Sequence, residues 1–395
     1  MEKNKIEIKG IPVEIKYSSF KGKSGVEEFH FSFTPKEFGD FRTQLKWIYN
    51  AYTETLKEKG ISEETSVFRR FFCSDLYNQV EYLREMDFSN PENISNPTCI
   101  SWICQPPLPY SKISLWAYHI KDPENKLKKE LKGKNTCCII REDIIHYWTG
   151  GIFSIEKDSI YEQTKNIIEK YVEFLNENNM KLSDNVIRTW FFLQNIDTDY
   201  RDFVVARREI YEKNGLTKNT HYIVSTGVGG SYYDLKAKVI LDAYSIYGIK
   251  TQQIKFLSAP DFLSPTYVYG VTFERGVSIS YSDRKHIIIS GTASINNKGE
   301  IMYPKDINLQ TERTLLNIEA LLKNENATLN DMMIFIVYVR DPADYYFVEK
   351  KINERFKNTP TIFTTASVCR PGWLVEIEGI AVIPSPPLPT FKVDR

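Results

Sequence analysis

The segment LVEIEGIAV, residues 374–382, sets two carboxylic acids, Glu376 and Glu378, inside a β-branched, apolar run that predicts a β-strand. Side chains alternate across a strand, so both acids share one face, roughly 6.5–7 Å apart from the strand rise. Two carboxylates that close repel each other when both are ionised, and one proton affinity is pushed upward. A carboxylic acid that keeps its proton near neutral pH has the chemistry of a general acid. Arg188 is a second charge out of place: it interrupts the apolar run VIRTWFF and must find a partner once buried.

The elements that position these residues recur along the chain. In 310–341, Leu315, Ile318, Leu321 and Leu322 fall at helical spacing, and the short apolar strand MIFIVYV follows. A second helix, PADYYFVEKKINERF, then Pro360 and the strand TIFTTASV, lead into the acidic strand. The same order occurs from residue 163. There Gln163-Thr164 aligns with Gln310-Thr311, Leu182 with Leu329 and Asp184 with Asp331 without a gap, and HYIVSTGV and LKAKVILDA supply the later strands. A fainter copy begins near Phe38, with the helix FGDFRTQLKWIYNAYTETL, the strand SVFRRFFC, a helical stretch around Asn78 and the strands PTCISWIC and KISLWAYHI. In this alignment Arg69 and Arg188 take the place of Phe335. The position of Glu376 falls to Lys236 or a neighbour in the middle copy and to Ile113 or Ser114 in the first, so the last copy alone keeps the acid. Boundaries at 1–125, 126–250 and 266–386 place the polar stretch KDPENKLKKELKGKN and the proline-bearing FLSAPDFLSPTY between units.

Composition excludes several classes. The 395 residues carry 51 basic and 51 acidic side chains, so no basic field points to nucleic acid. No run approaches the roughly 20 apolar residues that span a bilayer, and MEKNKIEIKGIPVEIK lacks the apolar core of a signal peptide, which predicts a cytoplasmic protein. The six cysteines show no CxxC spacing and the five histidines are scattered, which predicts no metal site. STGVGG, 225–230, lacks the Lys-Ser/Thr ending of a phosphate loop and is expected to be a turn.

The last copy resembles the reactive-intermediate deaminase (RidA) family over about residues 285–383, through IIISGTASINNKGEI, QTERTLLNIEALL, YVRDPADY, Pro360 and VEIEGIAVI. That resemblance implies small αβ units (the chorismate-mutase-like fold) whose sheets form a trimeric barrel with ligand clefts between neighbours. Three tandem copies then imply an α+β chain packed as an intramolecular pseudo-trimer around a central β-barrel. The whole-chain pattern, with SGTASI, VYVR, VCR-x-x-LVEIEG, QPPLPYSKISLWAYH, RTWFFLQNI and YRDFVVARREIY, is similar to the chorismatases, which cleave chorismate to pyruvate and a cyclic product.

The second resemblance implies roles. Breaking an enol ether without a metal requires a proton delivered to the enolpyruvyl methylene carbon, and Glu376 matches the family's catalytic acid. Cys369, seven residues earlier, matches members that form a hydroxybenzoate rather than a hydrated diol. Arg188, Arg207, Tyr200 and Arg275 are expected to hold the substrate carboxylates, and the backbone at Thr292 and Ala293 its oxygens. No cofactor is implied. The partner is a small molecule bearing carboxylates, and the protein is a monomer or weak homo-oligomer. Two alternatives stay open: enamine or imine hydrolysis, and ligand binding without catalysis. RidA deaminases carry a substrate-holding arginine two residues after the proline that begins the penultimate strand. Here Pro360 is followed by Thr361 and Ile362, which counts against the imine reaction.

Overall fold

The described residues of the chain fold into three six-stranded sheets whose strand order is the same each time. The computed structural model describes residues 1–108 and 111–385. Pro109 and Tyr110 of the QPPLPYS segment, and residue 386 at the expected end of the third unit, lie outside the described residues. The first sheet contains β1 (Glu2–Ile6), β2 (Val13–Lys21), β3 (Glu27–Pro35), β4 (Ser66–Cys73), β5 (Cys99–Cys104) and β6 (Ile113–Lys121), ordered β1-β2-β3-β6-β4-β5. The second contains β7 (Lys128–Lys132), β8 (Thr136–Arg141), β9 (Ile144–Phe153), β10 (Val186–Leu193), β11 (Val224–Gly229) and β12 (Val239–Tyr247). The third contains β13 (Ile254–Phe256), β14 (Gly276–Ser280), β15 (Arg284–Ala293), β16 (Met332–Val339), β17 (Thr361–Thr365) and β18 (Val375–Pro384). In each sheet the last strand in sequence is inserted between the third and fourth, and the fourth and fifth pair in parallel.

Helices α1 (Phe41–Lys59) and α2 (Leu76–Arg84) accompany the first sheet; α3 (Ile160–Glu177), α4 (Leu182–Asn185) and α5 (Ile196–Lys213) the second; α6 (Ile307–Leu322) and α7 (Tyr345–Phe356) the third. The long first helix of each unit begins at a capping side chain: Asp40, Ser159 and Asp306 accept from the N–H groups of Thr43, Glu162 and Leu309 at 2.7, 3.1 and 2.9 Å.

One buried glutamine explains why the three units align. Gln44, Gln163 and Gln310 each stand fourth in their helix, and each is fully buried. Their side-chain carbonyls accept from the backbone N–H of Lys112, Lys238 and Leu374 at 2.7, 2.8 and 2.9 Å. Those three residues immediately precede β6, β12 and β18. The amide thus satisfies a backbone donor that burial would otherwise strand, and it fixes where the last strand of each unit starts.

The sheets pack in a cycle. β4 meets β8 and β5 meets β9; β11 meets β15; β16 packs on β2 and β3, and β17 on β3 and β6. At every seam the fifth strand of one unit meets the third strand of the next, as three-fold pseudo-symmetry requires. Between the sheets run isolated bridges, Cys104 with Ser231, Val228 with Val368 and Pro107 with Thr364, rather than one continuous closed ladder.

Four details differ from the sequence expectation. Matching β-bulges put Arg188 level with Phe68 and Ile334, and set Arg69 level with Thr189 and Phe335. The ungapped alignment slips by one because α4 is an α-turn of four residues where the last unit has a three-residue 3-10 turn, Leu329–Asp331. The same ladders, and the glutamine contacts, put Ile240 rather than Lys236 at the position of Glu376, with Ser114 in the first unit. STGVGG is mostly strand: β11 runs through Gly229, and only Gly230 leaves its ladder. The polar stretch after residue 121 includes an edge strand, β7.

Candidate active site

β18 points Glu376 and Glu378 to the same side, and both are buried. Their surroundings are opposite. Glu378 accepts from the Arg188 guanidinium and the Thr226 hydroxyl, from the Trp190 indole N–H at 2.8 Å and from the Tyr338 hydroxyl at 3.1 Å. Four donors, one of them charged, satisfy it as a carboxylate. Glu376 has no such cage: among the described residues no hydrogen bond or ion pair reaches its carboxyl group. Burial first, and the neighbouring negative charge of Glu378 second, push its pKa up to about 8 against the pull of Arg188 and Arg275. At neutral pH Glu376 is a protonated acid.

The Glu376 carboxyl borders a cavity of about 220 Å³ at the seam between the second and third units. From the second unit come Tyr200 and Arg207 on α5 and Ser225 and Gly227 on β11; from the third, Gly291 and Ala293 on β15 and the loop residues Cys369, Arg370 and Trp373. The segment carrying Val271, Phe273 and Arg275 closes one side. Gly291 sits at a bulge of β15, and a Cβ there would fall 1.9 Å from Glu376 Oε1. The missing side chain is what leaves room for the acid.

Both Arg207 and Arg275 are buried. Arg207 Nε donates to Thr272 Oγ1 at 3.1 Å, its guanidinium lies 4.9 Å from the Phe203 ring, and one terminal nitrogen has no partner. Arg275 donates to the Ser264 carbonyl at 3.1 Å. A buried guanidinium with a donor to spare, as Arg207 has, is a carboxylate receptor. Cys369 is a thiol rather than a thiolate: burial and Glu376 raise it to about 12, and Tyr200 lies within hydrogen-bonding reach of it.

Of the residues singled out by sequence, the structure gathers Glu376, Cys369, Arg207, Tyr200, Arg275 and Ala293 around this cavity. Two stand elsewhere. Arg188 pairs with Glu378 through one terminal nitrogen and does not line the cavity, although its Nε and other terminal nitrogen are buried without a hydrogen-bond partner. Thr292 is buried and donates to the Ser290 carbonyl at 2.9 Å. Sequence reasoning passed over Ser225, Gly291, Phe273, Arg370 and Trp373. Arg370 and Trp373 flank Cys369 in CRPGW and Gly291 precedes Thr292 in SGTAS, so proximity was their available signal. Phe273, two residues before Arg275, carried the same signal. Among the described residues no group of three or more His, Cys, Asp or Glu could hold a metal ion, and no helix is long and apolar enough to cross a membrane.

Comparison with known proteins places this geometry in context. The Endoribonuclease L-PSP family model matches residues 277–383. A RutC family protein of Pyrococcus abyssi is 30% identical over 97 residues, 24% of this chain and 76% of that protein. The 3-hydroxybenzoate synthase of Streptomyces hygroscopicus is 26% identical over 233 residues. That match covers 50% of this chain and 64% of the synthase, just under two thirds of its length. Among solved structures, a chorismatase superposes with a TM-score of 0.63 at 17% identity, over 81% of this chain and 94% of the other. The last likeness is one of fold.

Proposed function

The chain belongs to the RutC family, and from that premise we propose that it is an enzyme cleaving the enol ether of chorismate to pyruvate and a hydroxybenzoate. The observation that supports this reading best is Glu376. It is a buried acid, protonated at neutral pH, facing a cavity that two buried arginines also line, Arg207 on α5 and Arg275 beside β14. Chorismate brings two carboxylates for those guanidinium groups and one carbon that must be protonated.

In the proposed reaction Glu376 gives its proton to the enolpyruvyl methylene carbon, which becomes the methyl group of pyruvate. Positive charge develops on the adjacent ether carbon, and the nascent Glu376 carboxylate lies next to it. The ring–oxygen bond breaks, pyruvate leaves with the ether oxygen, and the ring loses one proton as it becomes aromatic. That proton returns to Glu376, so no water is consumed. The hydrated diol, by contrast, takes up one water. The uncharged Cys369 thiol on the cavity wall fits a role in steering the intermediate away from water, not that of a nucleophile. Arg188 acts indirectly, through its ion pair with Glu378, the neighbour whose charge raises Glu376.

Imine hydrolysis finds less support. The place of the deaminase arginine after Pro360 is taken by Ile362, which is fully buried.

Purified protein incubated with chorismate, with pyruvate followed by a coupled assay and the ring product identified by chromatography, tests the proposal. Pyruvate and a hydroxybenzoate should appear in equal amounts and depend on Glu376, and Cys369→Ala should raise the share of diol. Pyruvate release no faster than the spontaneous background, or a fully active Glu376→Gln variant, overturns it.

A further inference from the structure

A second and larger cavity, about 410 Å³, lies where the other ends of the three sheets meet. β15 connects the two sites: its end near Ala293 borders Glu376, and Arg284 and His286 at its start line the second cavity. At about 3.3 Å per residue that separates the sites by roughly 20 Å.

An unbroken aromatic wall drawn from all three units lines it. Tyr118, Trp148, Tyr244, His146, Tyr281 and His286 follow one another at centroid separations of 5.4, 4.6, 6.0, 5.6 and 5.0 Å. Three of the polar groups in this wall form a chain, His146 Nδ1 to Tyr244 Oη at 2.7 Å and on to Tyr281 Oη at 3.3 Å. Burial lowers His146 to about 4, so its ring is neutral at physiological pH. Aliphatic side chains, among them Leu127, Ile139 and Ile144, complete the lining.

The charged groups are disposed unevenly. Glu28 is held by Arg284 at 2.6 Å and by His286 at 2.9 Å, and Asp283 by Arg284 at 2.9 Å, so these four satisfy one another. Glu142 is exposed on the rim. Arg141 differs. Its Nε is buried without a hydrogen-bond partner, and its nearest acid, Asp122, stands 3.9 Å away. A flat aromatic wall, neutral hydroxyl groups and one guanidinium with donors to spare are complementary to a planar ring bearing one carboxylate.

We propose that this cavity is a second small-molecule site, which takes a small aromatic monocarboxylate with its ring on the Trp148–Tyr244 wall and its carboxylate on Arg141. The assignment is independent of the chemistry at Glu376. Benzoate is the probe, titrated calorimetrically into the full chain, with Arg207→Gln to remove binding at the Glu376 cavity. Arg207→Gln should retain one benzoate site. Arg141→Gln in that background should weaken it at least tenfold, and Leu127→Trp, which fills the cavity from a half-buried loop position, should abolish it. Arg141→Gln alone should leave pyruvate release from chorismate unchanged. No benzoate binding to the Arg207→Gln protein, or binding indifferent to both Arg141→Gln and Leu127→Trp, overturns the proposal.

Discussion

Glu376 and Glu378 are two residues apart on one face of β18, yet one is surrounded by four donors and the other by none among the described residues. The difference comes from the second unit. Arg188, Trp190 and Thr226 reach across the seam to Glu378, and their reach ends one pleat short of Glu376. A charged carboxylate thereby stands beside a protonated one, which is the arrangement that separates the proton affinities of paired acids.

The pH profile follows from that arrangement. With Glu376 raised to about 8, the protonated fraction falls as pH rises through that value. Turnover of chorismate is expected to decline about tenfold per pH unit above it, and to be flat with respect to this group below pH 7. A rate that rises between pH 7 and 9 contradicts an acid role for Glu376.

Stability has the same sign. The folded protein holds the Glu376 proton up to about 8, whereas an ordinary glutamate in the unfolded chain releases it near 4.5. The native state therefore binds the extra proton across that window, and its stability is full at the acid end and falls as pH rises through it. Glu376→Gln escapes the loss. In urea unfolding, the variant should gain on the parent by a few kcal/mol between pH 5 and pH 9, since each pH unit inside the window costs the parent roughly 1.4 kcal/mol. An identical difference at the two pH values removes the claim that the acid is buried neutral.

Among the described residues, the Arg188–Glu378 pair is one of three ion pairs between buried arginines and buried acids that cross the seams. Arg70 of the first unit holds Asp242 of the second at 2.8 Å, and Arg284 of the third holds Glu28 of the first at 2.6 Å. Removing one partner strands a buried charge, so Arg188→Met should cost about 3–5 kcal/mol. Adding Glu378→Leu should restore most of that stability without restoring the separation of proton affinities. The double variant is thus expected to fold, with its pH–rate profile shifted to lower pH.

Gly291→Ala tests the room made for the acid. The new methyl group would meet Glu376 Oε1 at 1.9 Å and Thr226 Cγ2 at 3.0 Å, so the carboxyl must move. A loss of at least a hundredfold in kcat with a Tm change of only a few degrees is expected. Equal activity would show that the carboxyl does not depend on the open face of the bulge.

The sequence by itself determined the repeat, the strand that carries the acids and the absence of Glu376's counterpart from the other two units. These are local signals: helical and strand periodicity, the Gln-Thr pair shared by the second and third copies, and two charges in an apolar run. The sequence could not fix the register to one residue, because a four-residue α-turn and a three-residue 3-10 turn serve the same connection. Nor could it say which charge meets which. Arg188 and Arg207 both looked like receptors for substrate, and only the packing of one unit against the next gave the first to Glu378 and the second to the cavity. The buried ion pairs across the seams join residues more than a hundred positions apart, and their energy depends on burial and distance, which a linear pattern does not encode. For the same reason the aromatic wall around Trp148 and Tyr244 was invisible until three sheets brought its rings together.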